Sequence, residues 1–138
     1  MKLSKETIIN LLQRGDKDFC PHLSTIVDID AYAEKLCNYA DFKLIGKPGN
    51  ILGCLAYYKN YPNRFLYITH FWVNTLCQKK GYGKYLVNKL IQEEGSGFAE
   101  VCLEIYKEDY DAQKFYDSLG FELKEDRVDR ILLTKPIK

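Results

Sequence analysis

The fold turns on CQKKGYGKY, residues 77–85, where two glycines flank a tyrosine behind two lysines and ahead of a third. Glycine bares the backbone and lysine brings charge, so the stretch reads as a loop that meets an anion. The run before it, FLYITHFWV, is β-rich, and Leu86, Val87, Leu90 and Ile91 after it form a helical stripe. A strand, a loop and a helix N-terminus in succession aim N–H groups and a helix dipole outward, which suits a pyrophosphate. In that reading Gly81 and Gly83 let the backbone approach the ligand, and Lys79, Lys80 and Lys84 act as point charges. Two other phosphate loops fail. A Walker loop needs glycine where Leu76 or Gln78 stands and Ser or Thr in place of Tyr85. A dinucleotide fingerprint needs a third glycine, and Leu86 occupies that place. A plain loop with a solvated lysine cluster remains the alternative.

Outward from this loop, the chain reads as ααβββαβαββ. Ser4 caps a helix with Ile8, Ile9, Leu11 and Leu12 on its apolar face, and Ala33, Leu36, Cys37 and Ala40 mark a second helix. DFKLI, ILGCLAYY and FLYITHFWV follow as strands separated by the turn sequences KPGN and KNYPN. FAEVCLEIY alternates as a strand, and a helix carries Ala112, Phe115, Tyr116 and Leu119 on one face, with Gly120 past its end. Two strands close the chain. The fold class is α+β, a mixed, mostly antiparallel sheet flanked by helices, with residues 1–138 as one domain.

Composition narrows the function. At 138 residues, 46% hydrophobic and 28% charged, this is an ordinary globular chain that buries roughly two-thirds of its unfolded surface. A net charge of +1 argues against a duplex nucleic-acid binder. No apolar run approaches the ~18 residues of a membrane span, and MKLSKETIIN lacks a signal-peptide core. Five scattered cysteines without a CxxC pair fit reduced thiols in the cytoplasm. Cys20 and His22 could begin a metal site, but no second pair has ligand spacing, so no metal is expected.

A second segment, VCLEIYKEDYDAQKFYDSLGFEL at 101–123, joins the first. Together they resemble the GNAT superfamily of acetyl-CoA-dependent N-acyltransferases. Gln78, Gly81 and Gly83 match its Q/R-x-x-G-x-G/A motif. Ala112, Phe115, Tyr116, Leu119, Gly120 and Phe121 match its A-x-x-F-Y-x-x-L-G-F pattern. The family usually has asparagine where Asp109 stands, a position the resemblance implies hydrogen-bonds the cofactor's pantetheine arm or its surroundings, and a carboxylate accepts a hydrogen bond but cannot donate one. The resemblance implies two splayed parallel strands, FLYITHFWV and FAEVCLEIY, with the cofactor's pantetheine arm between them. It implies a β-bulge near Phe71, Trp72 and Val73 that frees N–H groups for the thioester, and Gln78 to Lys84, Tyr82 included, at the pyrophosphate.

The implied reaction moves acetyl from acetyl-CoA to a primary amine by direct attack. No serine sits in a G-x-S-x-G elbow, which agrees. Tyr116 matches the family's general acid at the leaving sulphur. His70 could relay the amine's proton near neutrality, with Glu104 and ordered water as rivals. Amino sugars, polyamines and amino acids stay open as small-molecule acceptors, and a homodimer fits the family's habits. An acyl-CoA sensor without catalysis, or a protein or peptide N-acetyltransferase, is the alternative.

Overall fold

Helix starts in this chain are set by short polar side chains. Ser4 accepts from the Thr7 N–H to start α1 (Lys5–Gly15), and Asp28 accepts from the Ala31 N–H to start α2 (Ile29–Tyr39). The computed structural model describes residues 1–78 and 80–137. Three strands follow: β1 (Asp41–Lys47), β2 (Asn50–Asn60) and β3 (Phe65–Val73). Then come α3 (Tyr82–Glu94), β4 (Glu100–Tyr106), α4 (Tyr110–Ser118), β5 (Glu122–Asp126) and β6 (Arg130–Pro136). This is the order read from periodicity. The strands form one mixed sheet in the order β1-β2-β3-β4-β6-β5, with β3 and β4 as its parallel pair.

Helices cover both faces of this α+β sheet. α1 and α2 pack on one face through Ile8, Leu11, Leu12, Ala33 and Leu36, against Phe42, Cys54 and Ala56 of the first strands. On the other face, Leu86, Val87, Leu90 and Tyr116 from α3 and α4 meet Leu55, Leu66, Val101, Leu103 and Ile105. The buried Lys43 ammonium lies 2.8 Å from both Glu93 and Glu94 at the end of α3. Those carboxylates hold the lysine's pKa above its ordinary value, against the opposing effect of burial. The pairing pins α3 to the β1 edge.

β3 contains the feature that sets the site. Leu66, Ile68, His70 and Trp72 are all buried, and uninterrupted alternation would put all four on one face. They do not share one. On β2, Ala56 faces His70 and Tyr57 faces Ile68, so Thr69 is an extra residue without a β2 partner. The bulge expected at Phe71–Val73 therefore lies earlier, at Thr69. Past it the two faces exchange: Phe71 and Val73 join Leu66 and Ile68 against α3 and α4. Trp72 packs against α1 and α2. His70 lies on that side too, its ring 5.1 Å from that of Phe19 and 6.2 Å from that of Tyr32.

His70 is 4% exposed, and burial pushes its pKa down to about 4. An unfolded histidine takes its proton near ~6.5, so the folded state binds fewer protons below that pH. The stability from neutral His70 is present above about pH 6.5 and is lost as pH falls toward about 4. His70→Leu has no such titration. Between pH 7 and 4.5 its stability relative to wild type should improve by ~2–3 kcal/mol, read from denaturant midpoints. A gap independent of pH would show that His70 is not held neutral by burial.

Candidate active site

The parallel pairing of β3 and β4 runs only from Phe65–Glu100 to Ile68–Leu103. Both strands continue, through Thr69–Val73 and Glu104–Tyr106, without pairing to each other. A wedge-shaped gap opens between them, as expected of the two splayed strands. Which groups face it follows from strand alternation. The Asn74 N–H donates to the Leu52 carbonyl at 2.8 Å, toward β2, so Phe71 and Val73 present their N–H and C=O groups to the gap. These donors are free because β4 diverges, not because a bulge sits on them. Trp72 is not brought to the gap. Its indole N–H donates to Asp18 at 2.8 Å, and its ring packs so closely on Gly15 that a Cβ there would lie 2.7 Å from it.

The mouth of the gap is the loop into α3. Asn74 accepts from the Leu76 N–H at 3.0 Å, and the Gln78 amide donates to the gap-facing Val73 carbonyl at 3.1 Å. Gln78 thus anchors the loop to the end of β3. Gly81 is the N-cap of α3 at φ 81, and no side chain caps that helix. The first N–H groups of α3, at Tyr82, Gly83 and Lys84, have no partner one turn back. Lys80 and Lys84 stand exposed beside them, and half-buried Tyr82 begins the helix. Lys79 lies outside the described residues. The two glycines have different jobs. A Cβ on Gly81 would meet nothing within 4 Å, so its left-handed φ is what requires glycine. A Cβ on Gly83 would come 2.5 Å from the Phe115 ring, so its bareness lets α4 pack on α3. Packing on Phe115 is thus a reason for glycine at 83 beside the close approach to a ligand expected from sequence.

α4 brings Tyr116 against the other wall. Asp109 caps α4 by accepting from the Ala112 N–H at 3.1 Å. That contact needs only an acceptor, and Asp serves as well as Asn at an N-cap. Gly120, at φ 90, ends the helix, and the Phe121 N–H returns to the Tyr116 carbonyl at 3.0 Å. Tyr116 is 8% exposed, its ring centroid 6.0 Å from Phe71, 5.1 Å from Phe115 and 5.5 Å from Phe121. Burial, with the Asp109 charge adding to it, raises the Tyr116 pKa well above that of a free phenol.

The opposite side of the gap is aromatic. Tyr32 of α2 donates to the Thr69 carbonyl at 2.7 Å and lies 2.9 Å from the Thr69 hydroxyl, tying α2 to the bulge. Neither residue stood out in the sequence. Only the strand register marks Thr69, and Tyr32 reads there as one tyrosine of eleven. The His70 Nε2 is sealed from solvent and has no hydrogen-bond partner among the described residues. Glu104, at the edge of β4, is held by Arg127 and, at 3.2 Å, by Arg130. Among the described residues no cluster of three His, Cys, Asp or Glu could hold a metal, and no helix is long and apolar enough to cross a membrane.

Comparison with known proteins agrees with this geometry. Residues 7–121 match the model of the acetyltransferase (GNAT) family. An acetyltransferase of the GNAT family from Staphylococcus aureus superposes with a TM-score of 0.76 at 18% identity, covering 100% of this chain and 98% of its own. The PaiA N-acetyltransferase of Thermoplasma acidophilum, solved with coenzyme A, gives 0.76 at 16% identity over 99% and 96%. The Escherichia coli ribosomal-protein-S18-alanine N-acetyltransferase gives 0.74 at 19% identity over 99% and 92%. No curated protein sequence matches. At these identities the superpositions speak for the fold alone, while the family match spans most of the sequence, so the chain belongs to the acetyltransferase (GNAT) family.

Proposed function

We propose that the chain transfers the acetyl group of acetyl-CoA directly to the primary amine of a small molecule, an amino sugar among the candidates. The observation that carries this is the gap itself, open from Ile68–Leu103 onward, with the Phe71 N–H facing into it. In this reading pantetheine lies between the splayed strands and the pyrophosphate meets the uncapped start of α3, with Lys80 and Lys84 beside it. The amine nitrogen bonds to the thioester carbon, and the Phe71 N–H donates to the oxygen as it gains charge. The C–S bond then breaks, CoA thiolate is protonated, and the amine's proton passes to solvent. No covalent acyl-enzyme forms.

Tyr116 is the proposed donor to the departing sulphur. With its pKa raised by burial it stays protonated, which favours a strong hydrogen bond over full proton transfer. His70 is neutral at physiological pH, and a relay through it would require a partner to reach its sealed Nε2. As terminal base it would have to take a proton from an ammonium of pKa ~10.4, uphill by ~8–9 kcal/mol from a histidine near 4. Asp109 caps α4 as an acceptor, a role open to Asp and Asn alike, and Tyr116 beside the gap favours catalysis over a sensor.

Acetyl-CoA should raise the melting temperature, and release of free CoA should depend on added amine. Gly81→Asp puts a carboxylate at the open helix start, where it opposes a pyrophosphate. It should weaken acetyl-CoA at least tenfold while the apo melting temperature moves by only a few degrees. Gly83→Ala should instead destabilise the apo protein, by ~1–3 kcal/mol, through Phe115. Normal acetyl-CoA affinity in Gly81→Asp would exclude the α3 N-terminus as the phosphate site.

Tyr116→Phe removes the hydroxyl and keeps the ring. Stability should fall by no more than ~1.5 kcal/mol. Single-turnover acetyl transfer should slow by roughly a hundredfold, with acetyl-CoA affinity little changed. A wild-type rate would leave Tyr116 as a core residue only.

A further inference from the structure

On the α3/α4 side the gap is bordered by Phe71, Phe115 and Tyr116, so an acceptor has to reach the thioester from the opposite face. On that face α1 and α2 pack over β1, β2 and β3 only: among the described residues their core takes none from β4, β5 or β6. Glu104 stands there. It is the first residue of β4 past the last parallel pair, Ile68–Leu103. Its neighbours Leu103 and Ile105 both belong to the α3/α4 core, so alternation turns the Glu104 side chain to the open face. Among the described residues it is the one carboxylate on the two unpaired stretches, Thr69–Val73 and Glu104–Tyr106. We infer that Glu104 docks the ammonium of the acceptor, and that Arg127 and Arg130 are positioning residues that hold this carboxylate until the acceptor displaces them. The inference rests on the acetyl-transfer reading above and names where its amine arrives.

The arrangement of the arginines carries it. The Arg127 N–H donates to the Arg130 carbonyl at 2.9 Å, which closes the turn between β5 and β6. From that turn one Glu104 oxygen accepts from Arg127 and the other from Arg130, at 3.2 Å, and the Glu104 side chain is left 15% exposed. Each guanidinium also has a second carboxylate on the hairpin. Arg127 donates to Glu125 at 3.0 Å and 3.3 Å, and Arg130 lies 3.6 Å from Asp129, its guanidinium 5.3 Å from the centre of the Tyr106 ring. Both arginines, Glu125 and Asp129 are exposed. Ion pairs this exposed are weak, so either arginine can leave Glu104 for its outer partner at little cost. An ammonium on a half-buried carboxylate makes a charge-assisted hydrogen bond in its place. Charge favours the exchange as well. Glu104, Glu125 and Asp129 oppose two arginines, so an arriving ammonium completes the balance, and the adjoining Lys107–Asp126 pair is balanced in itself. Tyr67, turned to the same face of β3 by its core neighbours Leu66 and Ile68, feels this cluster: burial and then the Glu104 charge raise its pKa, and both arginines oppose them. The cluster therefore reaches from β4 toward β3 beside the place where the strands part. Once docked, the ammonium gives its proton to solvent and its nitrogen bonds to the thioester carbon, as above.

The test titrates D-glucosamine, spermidine and benzylamine calorimetrically into the CoA-bound protein and follows CoA release from acetyl-CoA with each. Glu104→Gln keeps the shape and removes the charge. It should weaken the best-bound amine at least tenfold, with the acetyl-CoA-induced melting shift unchanged. Glu125→Gln and Asp129→Asn together should weaken that amine about threefold without touching it, because the arginines then have no outer partner to turn to. Arg127→Gln with Arg130→Gln should do the reverse: affinity for the amine rises, while kcat falls because the carboxylate is no longer held. A network that only braces the hairpin lowers the melting temperature in all three variants and has no opposed effects on the amine. Unchanged amine affinity in Glu104→Gln overturns the docking site, as does a loss on removing the arginines equal to the loss on removing Glu104. In either case amine-dependent CoA release keeps acetyl transfer standing. Amine binding that Glu104→Gln abolishes, with no amine acetylated, keeps the docking site and overturns acetyl transfer. Should Glu104→Gln fail to fold, the Glu125→Gln and Asp129→Asn pair decides, and unchanged affinity there overturns the exchange. Absence of binding by all three amines overturns the docking site whatever else is acetylated.

Discussion

β3 must serve two cores at once, and a single extra residue lets it. Up to Ile68 the strand is an ordinary member of the sheet, paired with β2 on one side and β4 on the other. Thr69 then adds one residue against β2, and everything beyond it is turned over. Phe71 goes to the α3/α4 core, and His70 and Trp72 go to the side of α1 and α2. The pairing with β4 ends at the same place, so the backbone that follows faces an open wedge rather than a ladder. An exposed strand edge invites aggregation unless something covers or shortens it. Here the edge is internal and short, flanked by helices on both faces.

The α3–α4 contact ties together the two places assigned above to the ends of the cofactor. Gly83 lies against Phe115, Phe115 meets Tyr116 edge-to-face at 5.1 Å, and both rings meet Phe71 edge-on, at 5.7 Å and 6.0 Å. The helix start assigned to the pyrophosphate and the tyrosine assigned to the sulphur therefore belong to one packed unit. Close packing resists small displacements. A change at Phe115 would shift the phosphate loop and the tyrosine together.

The chain also keeps polar groups where they cost stability. His70 Nε2 and Tyr58 Oη are both sealed and make no well-formed hydrogen bond among the described residues, and both lie on the face of β2 and β3 that meets α1 and α2. Each unsatisfied group costs about 1–3 kcal/mol, and apolar replacements there would stabilise. Lys43, by contrast, is buried with two carboxylates at 2.8 Å and belongs to the scaffold. Buried polar residues in one small protein thus divide into satisfied ones that hold α3 in place and unsatisfied ones that border the gap.

The sequence by itself determined the element order, the mixed α+β class and the loop-to-helix junction at Gly81, because these depend on local periodicity, turn chemistry and motif spacing. The Asp109 cap, the Gly120 stop and the left-handed Gly81 are local in the same sense: each is decided within about one helical turn. What the sequence could not contain was the bulge. The row Leu66, Ile68, His70, Trp72 is a perfect period-two pattern, and nothing in it records that β2 has one residue fewer over the same span. Tertiary structure alone therefore decided that Phe71 faces Tyr116, that Trp72 turns to Asp18, and that His70 lies sealed rather than poised near neutrality. It also decided why Gly83 is glycine, since its neighbour Phe115 is far along the chain and meets it only when α4 packs on α3. Register and burial are properties of pairs of segments, and a single chain read in order carries only one member of each pair at a time.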